Sequence, residues 1–234
     1  MRVVSLVPSA TETLDALGVT PVGITRFCDL EGPAVIGGTK NPDLGAILAL
    51  HPDLVVVNDE ENRAEDAAAL KAAGLRLHSM SPRAVDDVPV AVDALADAVG
   101  AERLELQPVL RVAERATAFC PIWRRPWMTI ARDTYGSSLL ECLGVRNVCA
   151  SAATRYPEVT LEEVRALAPD LVLLPSEPYV FAERHIPEVA AALPDARVAL
   201  VDGRDLFWWG SRTPAAAARL DQVLFGDAGR AERP

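Results

Sequence analysis

The stretch DLFWWGSR, Asp205–Arg212, sets two adjacent tryptophans beside a glycine in a chain in which only 5% of residues are aromatic. Flat rings with guanidinium groups at hand suit a partly polar small molecule. The rings supply apolar area and the cations fix polar substituents. Residues of the same kind recur in other short polar stretches: Arg26, Phe27 and Cys28 in RFCD, Lys40 in GGTKN, Arg132 and Tyr135 in RDTYG, and Tyr179 in PSEPY. Phe207, Trp208, Trp209 and Arg212 complete the set, with Ser9 at the start of a helix whose free N–H groups suit an anionic or amide oxygen. These are the candidate ligand-binding residues. The alternative for the tryptophans is packing at a lobe edge.

Catalytic patterns are absent. The sequence holds no HExxH, no GxSxG and no GxGxxG after its first strand, and GGTK lacks the Gly-Lys-Ser/Thr order of a phosphate loop. His51, His78 and His185 are far apart and read as structural. The four cysteines include no CxxC pair, which argues against a zinc knuckle, and they read as free thiols. Cys28, next to Asp29, is either a small packing residue or a thiol facing a ligand. NDEENR is a solvated acidic helix start or, with Glu60 and Glu61, a partner-docking surface. No enzyme and no metal site is expected.

The elements that must carry these residues alternate. RVVSLV is an apolar run that suits a strand buried on both faces. Ser9 with Glu12 predicts a capping box opening a helix to Leu17, stopped by Gly18. Asn41-Pro42 predicts a second helix start, and Pro52 ends that helix near Leu50. Strands follow at Leu54–Val57 and Leu75–Met80, with a helix between them from about Arg63 to Ala73. The second half opens with a strand at WMTIA, a polar loop over Arg132–Ser137 and a helix through Leu143. Thr160 with Glu163 forms another capping box. Strands at Leu171–Leu174 and Arg197–Val201 precede a last helix from about Pro214 to Leu224.

Two segments echo each other. NPDLGAILALHPDLVVVNDEE (Asn41–Glu61) matches YPEVTLEEVRALAPDLVLLPSEP (Tyr156–Pro178), with Asp53 and Asp170 at one point, and LDALGV matches LECLGV. The expected fold is α/β, with two Rossmann-like lobes of parallel-rich sheet. The lobes span residues 1–84 and 123–234. Between them, residues 85–122 form a helical linker, with one helix from Val88 to Val99 and a long backbone helix from Ala101 to Cys120. In open α/β sheets ligands bind beyond the carboxyl ends of the strands, where the candidate residues all fall.

The net charge of −10 and the lack of a basic cluster argue against nucleic acid. No run reaches the ~18–20 apolar residues of a membrane helix. The N-terminus lacks a signal-peptide pattern, so the expectation is a cytoplasmic protein, or a periplasmic or extracellular one from which a leader has been removed.

RVVSLVPSATETLDALG, GITRFCD, GGTKNPDLGAILALHPDLVVV and YPEVTLEEVRALAPDLVLL resemble the helical-backbone metal-receptor superfamily, and most of all the cobalamin-binding proteins of ABC importers. The resemblance covers about residues 2–225. It implies a monomeric substrate-binding protein that needs no cofactor and holds a cobalamin-like corrinoid, or a related tetrapyrrole, in a cleft between two lobes. Aromatic residues would clasp the ring, a role that Phe27, Tyr135, Trp208 and Trp209 match. Acidic rim residues, here Glu60, Glu61 and Glu177, would meet a transporter permease. The alternatives are a receptor for haem or a ferric siderophore, and a cytoplasmic corrinoid-handling protein.

Overall fold

The structure, a computed structural model, describes residues 1–226. The chain forms two units. The first contains Met1–Pro82, Asp86–Leu106 and Trp209–Arg212; the second contains Arg83–Val85, Gln107–Trp208 and, among the described residues, 213–226.

In the first unit, β1 (Val3–Ser5), α1 (Pro8–Ala16), β2 (Gly23–Ile24), β3 (Ala34–Val35), α2 (Leu44–Ala49), β4 (Leu54–Val57), α3 (Ala64–Ala72), β5 (Leu77–Ser79) and α4 (Val88–Val99) follow in order. The sheet runs β3-β2-β1-β4-β5 and every pair is parallel. Every residue of β1 and β4 is buried, as an apolar run covered on both faces requires. Val4, Leu6, Ile36, Ile47, Val55, Val57 and Leu70 form one core cluster.

Two helix starts differ from expectation. Helix α1 begins at Pro8, with Val7 as N-cap and no side-chain cap. Proline's missing N–H fits the first turn, so the helix starts two residues early and Ser9 and Glu12 form no capping box. Helix α2 starts at Leu44, not at Pro42. Asp43 is the N-cap, accepting from Ala46 N–H at 2.9 Å, while Pro42 bridges back to Gly37.

The expected backbone helix over Ala101–Cys120 does not form. Residues 101–115 carry neither helix nor strand, and 116–119 is a strand. Gly100 takes the left-handed conformation at φ 70°, and Ala101 N–H donates to the Ala96 carbonyl, which closes α4. Arg103 turns back onto Asp97 at 2.7 Å and Asp93 at 3.3 Å. Further on, Val112 N–H donates to Cys142 O and Arg115 N–H to Gly144 O. Long-range hydrogen bonds thus replace local helical ones that Pro108 already weakens.

The second unit contains β6 (Ala116–Phe119), β7 (Pro121–Trp123), β8 (Trp127–Thr129), α5 (Tyr135–Cys142), β9 (Val145–Asn147), β10 (Glu158–Val159), α6 (Leu161–Ala166), β11 (Leu171–Pro175), α7 (Ile186–Ala192), β12 (Arg197–Val201), α8 (Gly203–Phe207) and α9 (Thr213–Phe225). A parallel sheet runs β12-β11-β6-β9, and a small antiparallel sheet runs β10-β8-β7. The expected opening strand at Trp127 therefore lies in the antiparallel sheet. The first strand of the parallel sheet is β6, inside the segment expected to be helix. The expected loop over Arg132–Ser137 is shorter, because Thr134 caps α5 and Tyr135 is already helical.

Both parallel sheets repeat one plan, with β2, β1, β4 and β5 answered by β9, β6, β11 and β12. Asp53 accepts from Arg2 N–H at 2.6 Å beside β1, and Asp170 accepts from Thr117 N–H at 2.8 Å in β6. His51 and Ala168, each just before a proline, both have φ 46°. The α/β class with parallel-rich sheets holds.

Candidate functional site

At the carboxyl ends of the first unit's strands, the loops are tied to one another by side chains. Asn58 and Asn62 do most of this. Asn58 Nδ2 donates to Met80 O at 2.7 Å, and its Oδ1 accepts from Glu60 and Glu61 N–H at 2.7 and 3.0 Å. Asn62 Nδ2 donates to Leu6 O and Thr39 O. Both asparagines are buried. NDEEN is thus a closed turn ahead of α3, whose N-cap is Arg63, rather than the start of the helix. Lys40 Nζ donates to the Glu60 carbonyl, joining GGTKN to that turn.

Phe27 lies beyond β2 with its ring 50% exposed, and the Arg26 guanidinium is 5.1 Å from the ring centroid. A Cβ on Gly38 would come 3.1 Å from Arg26 Nη2 and 3.3 Å from Phe27 Cε2, so glycine lets GGTKN pack flush against this pair. Cys28 is half-buried, its thiol sharing hydrogen bonds with Thr11 Oγ1 at 3.1 Å and Thr25 Oγ1 at 3.3 Å. Ser9 is 2% exposed in the first turn of α1, and its hydroxyl has no hydrogen-bond partner among the described residues.

The tryptophan pair divides. Trp209 is buried at 5% exposure and belongs to the first unit with Gly210, Ser211 and Arg212. Ser211 N–H donates to Thr13 Oγ1 at 3.2 Å, and Arg212 pairs with Glu12 at 3.5 Å. Gly210 has φ 111°, and a Cβ there would fall 2.1 Å from Thr13 Oγ1. Trp208 belongs to the second unit and is half-buried, with the Arg204 guanidinium 4.9 Å from its ring.

The second unit places the other candidates less openly. Tyr135 is buried and its hydroxyl meets Thr213 Oγ1 at 2.9 Å. Phe207 packs on Gly136, where a Cβ would lie 3.0 Å from the ring. Tyr179 is half-buried in an aromatic group with Trp123, Phe181 and His185, at centroid distances of 5.5, 4.7 and 5.6 Å. Arg132 is exposed. Glu177 is half-buried where Gly203 approaches its backbone so closely that a Cβ would come within 2.6 Å. Beyond the ends of β11 and β12 opens a cavity of about 630 Å³, lined by Leu174, Ser176, Phe181, Leu200, Asp202 and Arg204. A smaller one of about 320 Å³ follows β5 and α4 past His78, Met80, Asp87 and Val90.

Two exposed aromatics escaped sequence reasoning: Trp123 at 45% exposure and Tyr156 at 38%. The internal repeat carried a signal for the second, since Tyr156 of YPEV occupies the place of Asn41 in NPDL. Among the described residues no group of three or more His, Cys, Asp or Glu could hold a metal ion. His185 is buried and its Nδ1 accepts from Ala182 N–H at 3.0 Å. Burial first, then Arg184 and Arg124, lower its pKa, so the imidazole is neutral at pH 7. Burial and Arg76 likewise lower that of His78.

No family model matches the chain. It is 25% identical over 190 residues to a vitamin B12-binding protein of Vibrio parahaemolyticus, covering 73% of this chain and 69% of that relative. It is 23% identical over 246 residues to the vitamin B12-binding protein of Vibrio cholerae, covering 95% and 87%. Among solved structures, the periplasmic vitamin B12 binding protein BtuF of Vibrio cholerae superposes with TM-score 0.74 at 19% identity, over 95% of this chain and 96% of that one. The periplasmic haem binding protein HutB of Vibrio cholerae gives 0.77 at 17%, over 96% and 99%. The periplasmic haem-binding protein RhuT of Roseiflexus sp. RS-1 gives 0.77 at 21%, over 97% and 98%. The chain has the fold of these periplasmic binding proteins.

Proposed function

We propose that this chain is a solute-binding protein for a cobalamin-like corrinoid and works by binding without turnover. The observation that carries the reading is the open Arg26–Phe27 pair at the carboxyl ends of the first unit's strands, in a chain whose curated relatives are vitamin B12-binding proteins. A flat ring buried against Phe27 gains roughly 25 cal/mol per Å² of apolar area removed from water. Arg26 offers donors to amide or phosphate oxygens at the edge of such a ligand. Trp208, with Arg204 over its ring, offers a second surface of the same type.

Haem is the second reading, favoured by the names of several structural neighbours. It carries a chemical requirement. Haem iron takes an axial ligand from His, Cys, Met or Tyr. His51 lies ahead of β4, at the wrong end of the strand, and His185 is buried with Nδ1 engaged. Tyr135 is buried on Thr213, and Cys28 is held by two threonines. Tyr156, 38% exposed, and the half-buried Tyr179 are residues of the right type left for that role, whereas a corrinoid bound by its faces asks for no such ligand.

The relatives favour export. The structural neighbours named here are periplasmic proteins, and nothing among them supports the cytoplasmic expectation. The reading includes delivery to an ABC permease, with Glu60 and Glu61 on the Asn58 turn and Glu177 after β11 as the acidic docking residues. Calorimetric titration with cyanocobalamin and with hemin tests the ligand. The corrinoid should bind one to one and more tightly; saturable binding of hemin alone would replace the reading with the second.

A further inference from the structure

Cys120 and Cys149 are buried free thiols of the second unit for which ligand binding has no use. Cys120 directly follows β6, and Cys149 lies in the turn that follows β9. Strand β6 pairs with β9 at Ala118 and Asn147, and Val148 N–H donates to Ala118 O at 2.9 Å; each cysteine is two residues beyond the matched pair. The strands β6 and β9 themselves run about 4.8 Å apart, and a disulfide accepts Cα separations of roughly 4.4–6.8 Å. Thr129 at the end of β8 touches both residues. Its hydroxyl donates to the Cys120 carbonyl at 2.7 Å and hydrogen-bonds the Cys149 thiol. Burial pushes the Cys120 thiol well above the ordinary range, with Cys149 adding to the effect, and raises that of Cys149 as well. The other two cysteines are placed differently: Cys28 is in the first unit, and Cys142 lies within α5.

We propose that Cys120 and Cys149 close to a disulfide that staples β6 to β9 when the chain folds in oxidising surroundings. In the first step one cysteine thiolate attacks a disulfide oxidant, such as oxidised glutathione, and one glutathione thiolate leaves. In the second step the other cysteine thiolate attacks the cysteine sulfur of the mixed disulfide and expels the second glutathione. The two cysteines lose two protons and two electrons, which the oxidant takes up as two thiols. In the finished fold both sulfurs are buried and protonated, so exchange happens before β6, β8 and β9 assemble. Afterwards neither the disulfide nor the dithiol is easily converted. The cross-link closes the stretch that holds β7, β8, α5 and β9 and thereby restricts the unfolded chain.

The test refolds the full chain from denaturant, once with a mixture of oxidised and reduced glutathione and once with excess reductant. Acid quenching, alkylation under denaturing conditions and peptide mass spectrometry then report each cysteine. After oxidative refolding the peptides of Cys120 and Cys149 should be recovered joined, about 2 Da lighter than the two thiol peptides together, with Cys28 and Cys142 alkylated. The oxidised protein should melt several degrees higher than the reduced one, roughly as expected for a loop of this size. Cys149→Ser should abolish that difference. Recovery of Cys120 and Cys149 as alkylated thiols after oxidative refolding, or of either joined to Cys28 or Cys142, would overturn the proposal. The wild-type peptide map decides the matter even where the serine variant does not fold.

Discussion

Residues that look alike in sequence have different work in the structure, and substitution should separate them. Phe27 is half-exposed and Trp209 is buried. Phe27→Ala should change unfolding free energy by less than about 0.5 kcal/mol, as surface changes do. It should weaken corrinoid binding by roughly tenfold or more, as removal of an aromatic anchor does. Trp209→Ala should instead cost on the order of 3–5 kcal/mol of stability by opening a cavity. Urea denaturation beside calorimetric titration reads both. Gly210→Ala tests the backbone at the same place. It forces a side chain onto φ 111° and into Thr13, so the urea midpoint should fall by an amount worth about 1–2 kcal/mol or more. The WWGSR stretch identified itself by composition, yet nothing in the sequence said that one indole joins the first unit and the other the second. That division depends on Gly210 and Ser211 meeting Thr13, nearly two hundred positions earlier.

Elements set by local chemistry were legible, and those set by distant partners were not. The Thr160 capping box is present with both of its bonds: Glu163 N–H donates to Thr160 Oγ1 at 3.2 Å, and Glu163 Oε2 accepts from Thr160 N–H at 2.7 Å. Helix α4 was legible from its apolar spacing and from the glycine that ends it. The backbone helix was misread because Ala, Glu, Leu and Arg favour helix locally, whereas β6 owes its existence to β9 and β11 on either side. The repeat held the correction, since Asp170 answers Asp53 and must find a strand like β1 to bind. The capping box also gives a pH test. Hydrogen bonds from the Thr160 backbone, then from its side chain, depress the Glu163 pKa below 4.5. A depressed carboxylate contributes its full stabilisation above the unfolded pKa and loses it as pH falls through the folded value. The melting temperature of Thr160→Ala should therefore lie below wild type by about a few degrees at neutral pH. That gap should shrink steadily as pH falls from 4.5 downward. Thermal melts at a series of pH values check it.

For the whole molecule, two parallel sheets repeat one plan of strand order. The plan explains why Arg26, Phe27, Arg132 and Tyr179 fall on loops after strands, whereas Tyr135 and Phe207 lie in α5 and α8 and Trp208–Arg212 link α8 to α9, against the expectation that all follow a strand. It also explains why sequence gave the fold class more readily than the ligand. Strand runs and caps are written in short-range patterns, while the exposure of single rings, such as Phe27 at 50%, Trp123 at 45% and Tyr156 at 38%, depends on distant packing. The central claim is that these loops hold a corrinoid, and the most direct measurement is titration of the purified chain with cyanocobalamin, followed by heat and by tryptophan fluorescence. The account predicts saturable one-to-one binding at micromolar ligand or below, on the order of −8 kcal/mol or stronger, weakened by Phe27→Ala. Absence of heat and of quenching at about 100 μM ligand, a bound well short of −8 kcal/mol, would contradict it.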